Sequence, residues 1–209
     1  MKHFLEVAAL YHAYQKLGGF FGARLKAFND YVDFSKVHRV FDIGCGPGHI
    51  ARHVPSHVEY IGFDTEPMYI DYATRHFGSR GRFLTRLFDQ SAAAEFGRPD
   101  LILMNGVLHH MDDASVAAVV ADAAASLNEG GVFFTLDGCF TPKQNPISHY
   151  LLANDRGQYV RTAPEYQQLV GKGFADTKLF VRDDLSWVPY TFAILHASNT
   201  RPDPNAAAK

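Results

Sequence analysis

Three glycines, Gly44, Gly46 and Gly48, alternate in the stretch VFDIGCGPGHI, Val40 to Ile50, directly after an apolar run that carries an acid, Asp42, near its end. Glycine tolerates positive φ and has no side chain, so alternating glycines at a strand-to-helix turn let the backbone approach a bound molecule closely. A plain tight turn would need the same residues, and the loop alone does not choose between the two. A second acid, Asp64, ends the next apolar run, YIGFD. It stands about 20 residues after the loop begins, where in a doubly wound sheet a carboxylate takes the two hydroxyls of a ribose. The spacing G-x-G-x-G departs from the dinucleotide fingerprint G-x-G-x-x-G, which argues against NAD and FAD. Further along, NGVLHHMDD places His109 and His110 after a third apolar run, and imidazole is the side chain best suited to proton transfer near neutral pH. HHMDD also offers two imidazoles and two carboxylates for a metal. Adjacent ligands point apart, however, and Asp112 and Asp113 fit the acidic start of a helix, so no metal is expected.

These groups need elements to hold them. Short apolar runs at 37–43, 58–64, 82–87, 100–105 and 131–137 alternate with helical patterns near 48–54, 67–76, 90–96 and 113–127. That alternation predicts a parallel sheet covered on both faces, with ligands bound at its carboxyl edge. Thr162 and Glu165 then form a T-x-x-E capping box with Pro164 in the first turn, and Gly171 and Gly173 close the helix. Two further runs, TKLFVRD (177–183) and YTFAILHA (190–197), are close enough to form an antiparallel pair. Before the first strand, residues 2–33 predict two helical segments split at Gly18-Gly19, either packed on the core or lying over a substrate pocket as a lid. The expected class is therefore α/β: a Rossmann-like, doubly wound, seven-stranded and mostly parallel sheet with a C-terminal antiparallel pair, helices on both faces and an N-terminal helical cap.

The chain has 209 residues, 47% of them hydrophobic, with a formal net charge of −2. Such a balance lacks the basic surplus that nucleic acid or an anionic membrane selects. Cys45 and Cys139 are the two cysteines and form neither a CxxC nor a finger spacing, so no disulfide framework is expected. No run reaches membrane-spanning length and the N-terminus lacks the pattern of a signal peptide, which points to a cytoplasmic protein.

Taken together, FDIGCGPG, YIGFD, DLILMNGVLHHM and LNEGGVFFTLD resemble, in order and interval, four motifs of the class I S-adenosylmethionine-dependent methyltransferases, in particular the small bacterial enzymes that methylate small molecules. The resemblance covers residues 37–197. It implies S-adenosyl-L-methionine as cofactor, held by Asp42, Gly44, Cys45, Gly46, Gly48, Asp64, Thr65 and Asn105, with Asp42 near the methionine amino group and Asp64 on the ribose. One position departs from the family pattern: the slot of the adenine-binding acid is Leu87, which leaves Leu87, Phe88 or Asp89 as candidates. His109 and His110 are the candidate catalytic bases. Tyr11, Tyr14, Asp137, Tyr159 and Arg161 are the candidate substrate contacts, the last two from the long connection 138–161.

The implied organisation is one methyltransferase domain over 1–199, with a cap (1–34), a cofactor-binding core (37–137), a substrate-side connection (138–161), a C-terminal helix and strand pair (162–197) and a disordered tail (200–209). The implied activity is methyl transfer to a small molecule, to oxygen in preference to nitrogen or carbon, by a monomer or homodimer that binds neither nucleic acid nor membrane. Two other readings stay open: methylation of nucleic acid, against which stand the charge and the sequence NGVL in place of an NPPY type, and a non-methylating protein on the same fold.

Overall fold

The computed structural model describes residues 19–199. Five strands run parallel: β1 (Arg39–Ile43), β2 (Glu59–Asp64), β3 (Arg82–Thr85), β4 (Leu101–Asn105) and β5 (Val132–Gly138). β6 (Asp176–Arg182) and β7 (Phe192–Ser198) are antiparallel to each other, and β7 is antiparallel to β5. The order across the seven-stranded sheet is β3-β2-β1-β4-β5-β7-β6. Chain growth reverses direction between β1 and β4, and in such sheets the crevice for ligands opens beyond the carboxyl ends at that reversal.

The sheet is buried on both faces because its strands alternate between two apolar clusters. Phe41, Ile61, Ile102 and Phe133 point to one side, where α4 (Asp113–Ser126) and α6 (Ala163–Gly171) cover them with Val116, Val120, Tyr166 and Leu169. Val40, Tyr60, Leu103 and Phe134 point to the other, under α1 (Phe20–Tyr31) and α2 (Pro67–Phe77) with Ala23, Phe28, Ile70 and Phe77. Strand side chains alternate with a period of two, so near-continuous apolar strands are what a two-sided core demands. Helix starts follow local chemistry. Glu66 accepts from the Met68 amide ahead of α2, Asp112 from Ser115 ahead of α4, and Thr162 with Glu165 forms the expected capping box at α6.

Two elements differ from the sequence expectation. The helix expected near 48–54 is a single 3-10 turn, His49–Arg52, entered from Gly48 in the left-handed region. The connection after β5, expected as a long polar loop, contains a short helix, α5 (Pro146–Ala153), started by Asn145 and Pro146, whereas α3 (Ser91–Phe96) lies between β3 and β4 as expected. Of the two expected N-terminal helices the second is α1; the first, with Tyr11 and Tyr14, lies outside the described residues, as does the tail 200–209. No helix among the described residues is long and apolar enough to cross a membrane.

Candidate active site

A cavity of about 1520 Å³ opens at the carboxyl edge of β1, β2, β4 and β5. Sites for a single drug-sized ligand span roughly 300 to 1,000 Å³, so this one has room for a cofactor and a second molecule side by side. Gly44, Cys45 and Gly46 line it from the loop after β1, Asp64 and Thr65 from the end of β2, and Leu87 and Phe88 from the segment after β3. Asn105 at the end of β4, His109 and His110 just beyond it, and Asp137 near the end of β5 complete the wall.

Backbone hydrogen bonds pin the glycine loop to β2. The Gly44 and Cys45 amides both donate to the Phe63 carbonyl, at 2.8 and 3.1 Å. The Asp64 carboxylate accepts from Gly46 N at 2.8 Å and from Glu66 N at 2.9 Å, so the acid both shapes the loop and faces the cavity. Gly46 has φ +55°, and a Cβ built there meets nothing within 4 Å. Its bare backbone faces open space, as a cradle for a ligand requires. Gly48 has φ +75°, and a Cβ there would lie 2.8 Å from that of Ala73 and 2.7 Å from Phe83. The third glycine serves helix-to-loop packing, not the cavity wall.

The two glycines therefore fail differently when substituted. Left-handed backbone costs an L-residue about 1 to 2 kcal/mol, and overpacking at Gly48 adds about 1 to 3 kcal/mol. Gly48→Ala is expected to lower the melting temperature by about 5 to 10 °C. Gly46→Ala lowers it less, because its methyl enters the cavity, and its main effect falls on ligand affinity measured by calorimetry.

Asp42 lies beneath this loop, 3% exposed, and takes a hydrogen bond from the Tyr60 hydroxyl. Burial raises its pKa to about 7 against the opposing hydrogen bond of Tyr60 and the charge of Arg24. It does not line the cavity, so any effect it has on a ligand passes through the loop or through its field. Cys45 does line the cavity, and burial, with the charges of Asp42 and Asp64, pushes the pKa of its thiol well up and keeps it neutral.

The proton-handling group is more specific than the sequence foresaw. β4 and β5 are neighbours, which brings His109 to Asp137: Nδ1 of the imidazole donates to Oδ1 of the carboxylate at 2.7 Å. A carboxylate only accepts, so this contact fixes the proton on Nδ1 and leaves Nε2 with the lone pair. Nε2 lies 3.4 Å from Oδ1 of Asp155. Gly157 lies close against His109, for a Cβ there would come 2.1 Å from its Cδ2. The Tyr159 amide holds the His109 carbonyl at 2.9 Å. Burial alone would lower the pKa of His109, but the hydrogen bond and charge of Asp137, joined by Asp155, outweigh it and raise the pKa above the ordinary histidine value. His110 stands at the rim beside it, and partial burial and the charge of His109 lower its pKa. The pair is thus split into a buttressed imidazole and an unsupported one.

Arg161 and Tyr159, expected at the substrate, are outside the cavity wall. The Arg161 guanidinium is fully engaged, donating to the carbonyls of Leu108, Tyr159 and Met111 and to Asp113 at 2.7 to 3.1 Å. It clamps the segment that carries His109. The Tyr159 side chain is 40% exposed, and Arg161 lies over its ring. Asp112 and Asp113 act as the N-cap of α4 and the partner of Arg161, in keeping with their helix-start reading.

Several wall residues escaped the sequence reading. Phe20 and Arg24 reach the cavity from α1, and Trp187 and Tyr190 from the loop between β6 and β7. Phe20 packs edge-on against Tyr190, with ring centroids 4.9 Å apart. Phe20 and Arg24 are four residues apart on one helix and so share a face, a signal that was readable. Asp155 and Trp187 had none, being placed by loop conformation.

The elements, the strand order and the glycine loop define the class: a Rossmann-like, doubly wound α/β fold. Residues 41–133 match the family model described as a methyltransferase domain. Solved structures with this fold include human N-acetylserotonin methyltransferase in complex with SAM, 21% identical with a TM-score of 0.64, the alignment covering 85% of this chain and 51% of that one. An O-methyltransferase family protein from Burkholderia thailandensis is 20% identical, with a TM-score of 0.62 over 85% of this chain and 56% of that one. An O-methyltransferase from neocarzinostatin biosynthesis, in complex with S-adenosylmethionine and 2-hydroxy-5-methyl naphthoic acid, is 16% identical, with a TM-score of 0.63 over 91% of this chain and 56% of that one. The chain thus spans about half the length of these structures. No curated protein matches it in sequence.

Proposed function

We propose that this protein is an S-adenosylmethionine-dependent methyltransferase that acts on a small molecule and transfers to oxygen, with His109 as general base. The observation that carries the reading is the His109–Asp137 pair opening on the same cavity as the glycine loop and Asp64. A group such as this cofactor fits the wall: Gly46 presents bare backbone to open space, and both polar side-chain atoms of Asn105, 8% exposed, have no partner. An unpartnered buried amide costs about 1 to 3 kcal/mol, a cost that a ligand's polar end would offset.

In this reading Asp64 takes the ribose hydroxyls, the loop amides and Asn105 hold the methionine part, and Leu87 and Phe88 flank the adenine. When bound, the cofactor supplies an electrophilic methyl group on a sulfonium. The rest falls to the chain's own residues. Transfer requires the acceptor oxygen in line with that methyl, which is a matter of positioning. Nε2 of His109 takes the hydroxyl proton as the oxygen attacks, and Asp137 holds the ring in the required tautomer and stabilises the imidazolium that results. The aromatic rings of Phe20, Trp187 and Tyr190 suit a flat, largely apolar acceptor. Support for oxygen as the atom methylated comes from the base itself, because a hydroxyl must lose its proton whereas a neutral amine can attack without prior deprotonation. The similar O-methyltransferases point the same way. We place the cofactor half in 37–137 and the acceptor half in α1, the connection 138–161 and the β6–β7 loop. Calorimetric titration with S-adenosylmethionine tests the reading at its base. Saturable one-to-one binding is expected, and no binding at millimolar cofactor would contradict it.

A further inference from the structure

Arg24 belongs to the cavity wall. It sits one turn after Phe20 on α1, half-buried. Its Nη2 lies 3.2 Å from where a Cβ of Gly106 would be, so the guanidinium rests over the end of β4. Its charge is felt on both sides, partly opposing the upward shifts of Asp42 under the glycine loop and of His109 beside the base site. No ion pair or hydrogen bond to another described residue engages it. The cavity's other guanidinium groups differ: Arg86 is paired with Glu95 at 2.8 Å and Arg156 is exposed.

Immediately before Gly106 stands Asn105, with its amide buried and both polar atoms unpartnered. A guanidinium offers a planar fork of donors that matches a carboxylate, and the amide NH₂ adds a further donor beside it. We propose that Arg24 and Asn105 form a carboxylate-binding subsite at the end of β4, on α1 and the sheet edge together. The carboxylate has two available sources: the amino-acid end of the cofactor, or an acid group on the methyl acceptor. The subsite rests on the functional reading given above, and it gives α1 a chemical task beyond covering the core.

Calorimetry on the wild type, Arg24→Ala and Arg24→Lys separates the sources. S-adenosylhomocysteine carries the amino-acid end, and 5′-methylthioadenosine lacks it. If the carboxylate is the cofactor's, Arg24→Ala weakens S-adenosylhomocysteine by about tenfold to a hundredfold, the worth of a charged hydrogen bond. It leaves 5′-methylthioadenosine as in the wild type, and Arg24→Lys recovers part of the loss. If it is the acceptor's, S-adenosylhomocysteine binds unchanged, and 4-hydroxybenzoate binds the loaded protein more weakly by the same factor while 4-hydroxybenzamide does not. Either pattern supports the subsite. Unchanged affinity for both acids, or an equal loss for S-adenosylhomocysteine and 5′-methylthioadenosine, overturns it. A wild type that binds neither nucleoside overturns the functional reading itself, a result distinct from a failure confined to Arg24.

Discussion

His109→Ala is expected to lower methyl transfer by about 10²- to 10⁴-fold, the range of a lost general base, with S-adenosylhomocysteine affinity as in the wild type. The expectation follows from Nδ1 donating to Asp137 at 2.7 Å, which leaves Nε2 as the site that accepts the proton. The base works only when neutral, so the rate rises with pH as the imidazolium loses its proton. Because Asp137 and Asp155 raise that pKa against the effect of burial, the acid limb of the rate profile lies above the ordinary histidine value. Asp137→Asn removes both the charge and the carboxylate end of the hydrogen bond. Burial then dominates, the pKa falls, and the acid limb moves to lower pH while the plateau drops because the imidazolium is less stabilised. A rate profile that does not move in Asp137→Asn would count against His109 as the base. A His110→Ala variant with the larger loss would assign the role to its neighbour.

Asp64→Ala is expected to weaken S-adenosylhomocysteine by about tenfold to a hundredfold, as for the loss of charge-assisted hydrogen bonds. Two contributions add here. The ribose loses its acceptors, and the amides of Gly46 and Glu66, now bonded to Oδ2 and Oδ1, lose the partner that fixes the loop. Asp64→Asn separates them, since its single amide oxygen keeps one acceptor and gives up the charge. Its affinity should fall between wild type and Asp64→Ala. Titration calorimetry of the three proteins checks the order, and equal affinities across them would remove Asp64 from the cofactor site.

The parts of this fold that local pattern determines were legible. Apolar runs separated by helical stretches located all seven strands, because a sheet buried on both faces requires such runs. The Thr162–Glu165 box located α6, since capping is a contact between residues three apart. Contacts that depend on which strands become neighbours were not legible. Asp137 and His109 were each singled out, but their pairing arises only when β5 lies beside β4. Arg161 was read as a substrate anchor because it is a cation in a long connection. Three carbonyls and Asp113 converge on it in space, and nothing local foretells that. α5 was missed although Asn145 and Pro146 mark its start, for the reading weighed the polar composition of the connection above its local start signal.

Incubating the protein with S-adenosylmethionine labelled in the methyl group, a mixed extract of small metabolites and, separately, bulk RNA tests the central claim most directly. The label should appear in the small-molecule fraction with matching formation of S-adenosylhomocysteine, and His109→Ala should abolish it. Cofactor that binds but is never converted, or label recovered in RNA alone, would contradict a small-molecule methyltransferase.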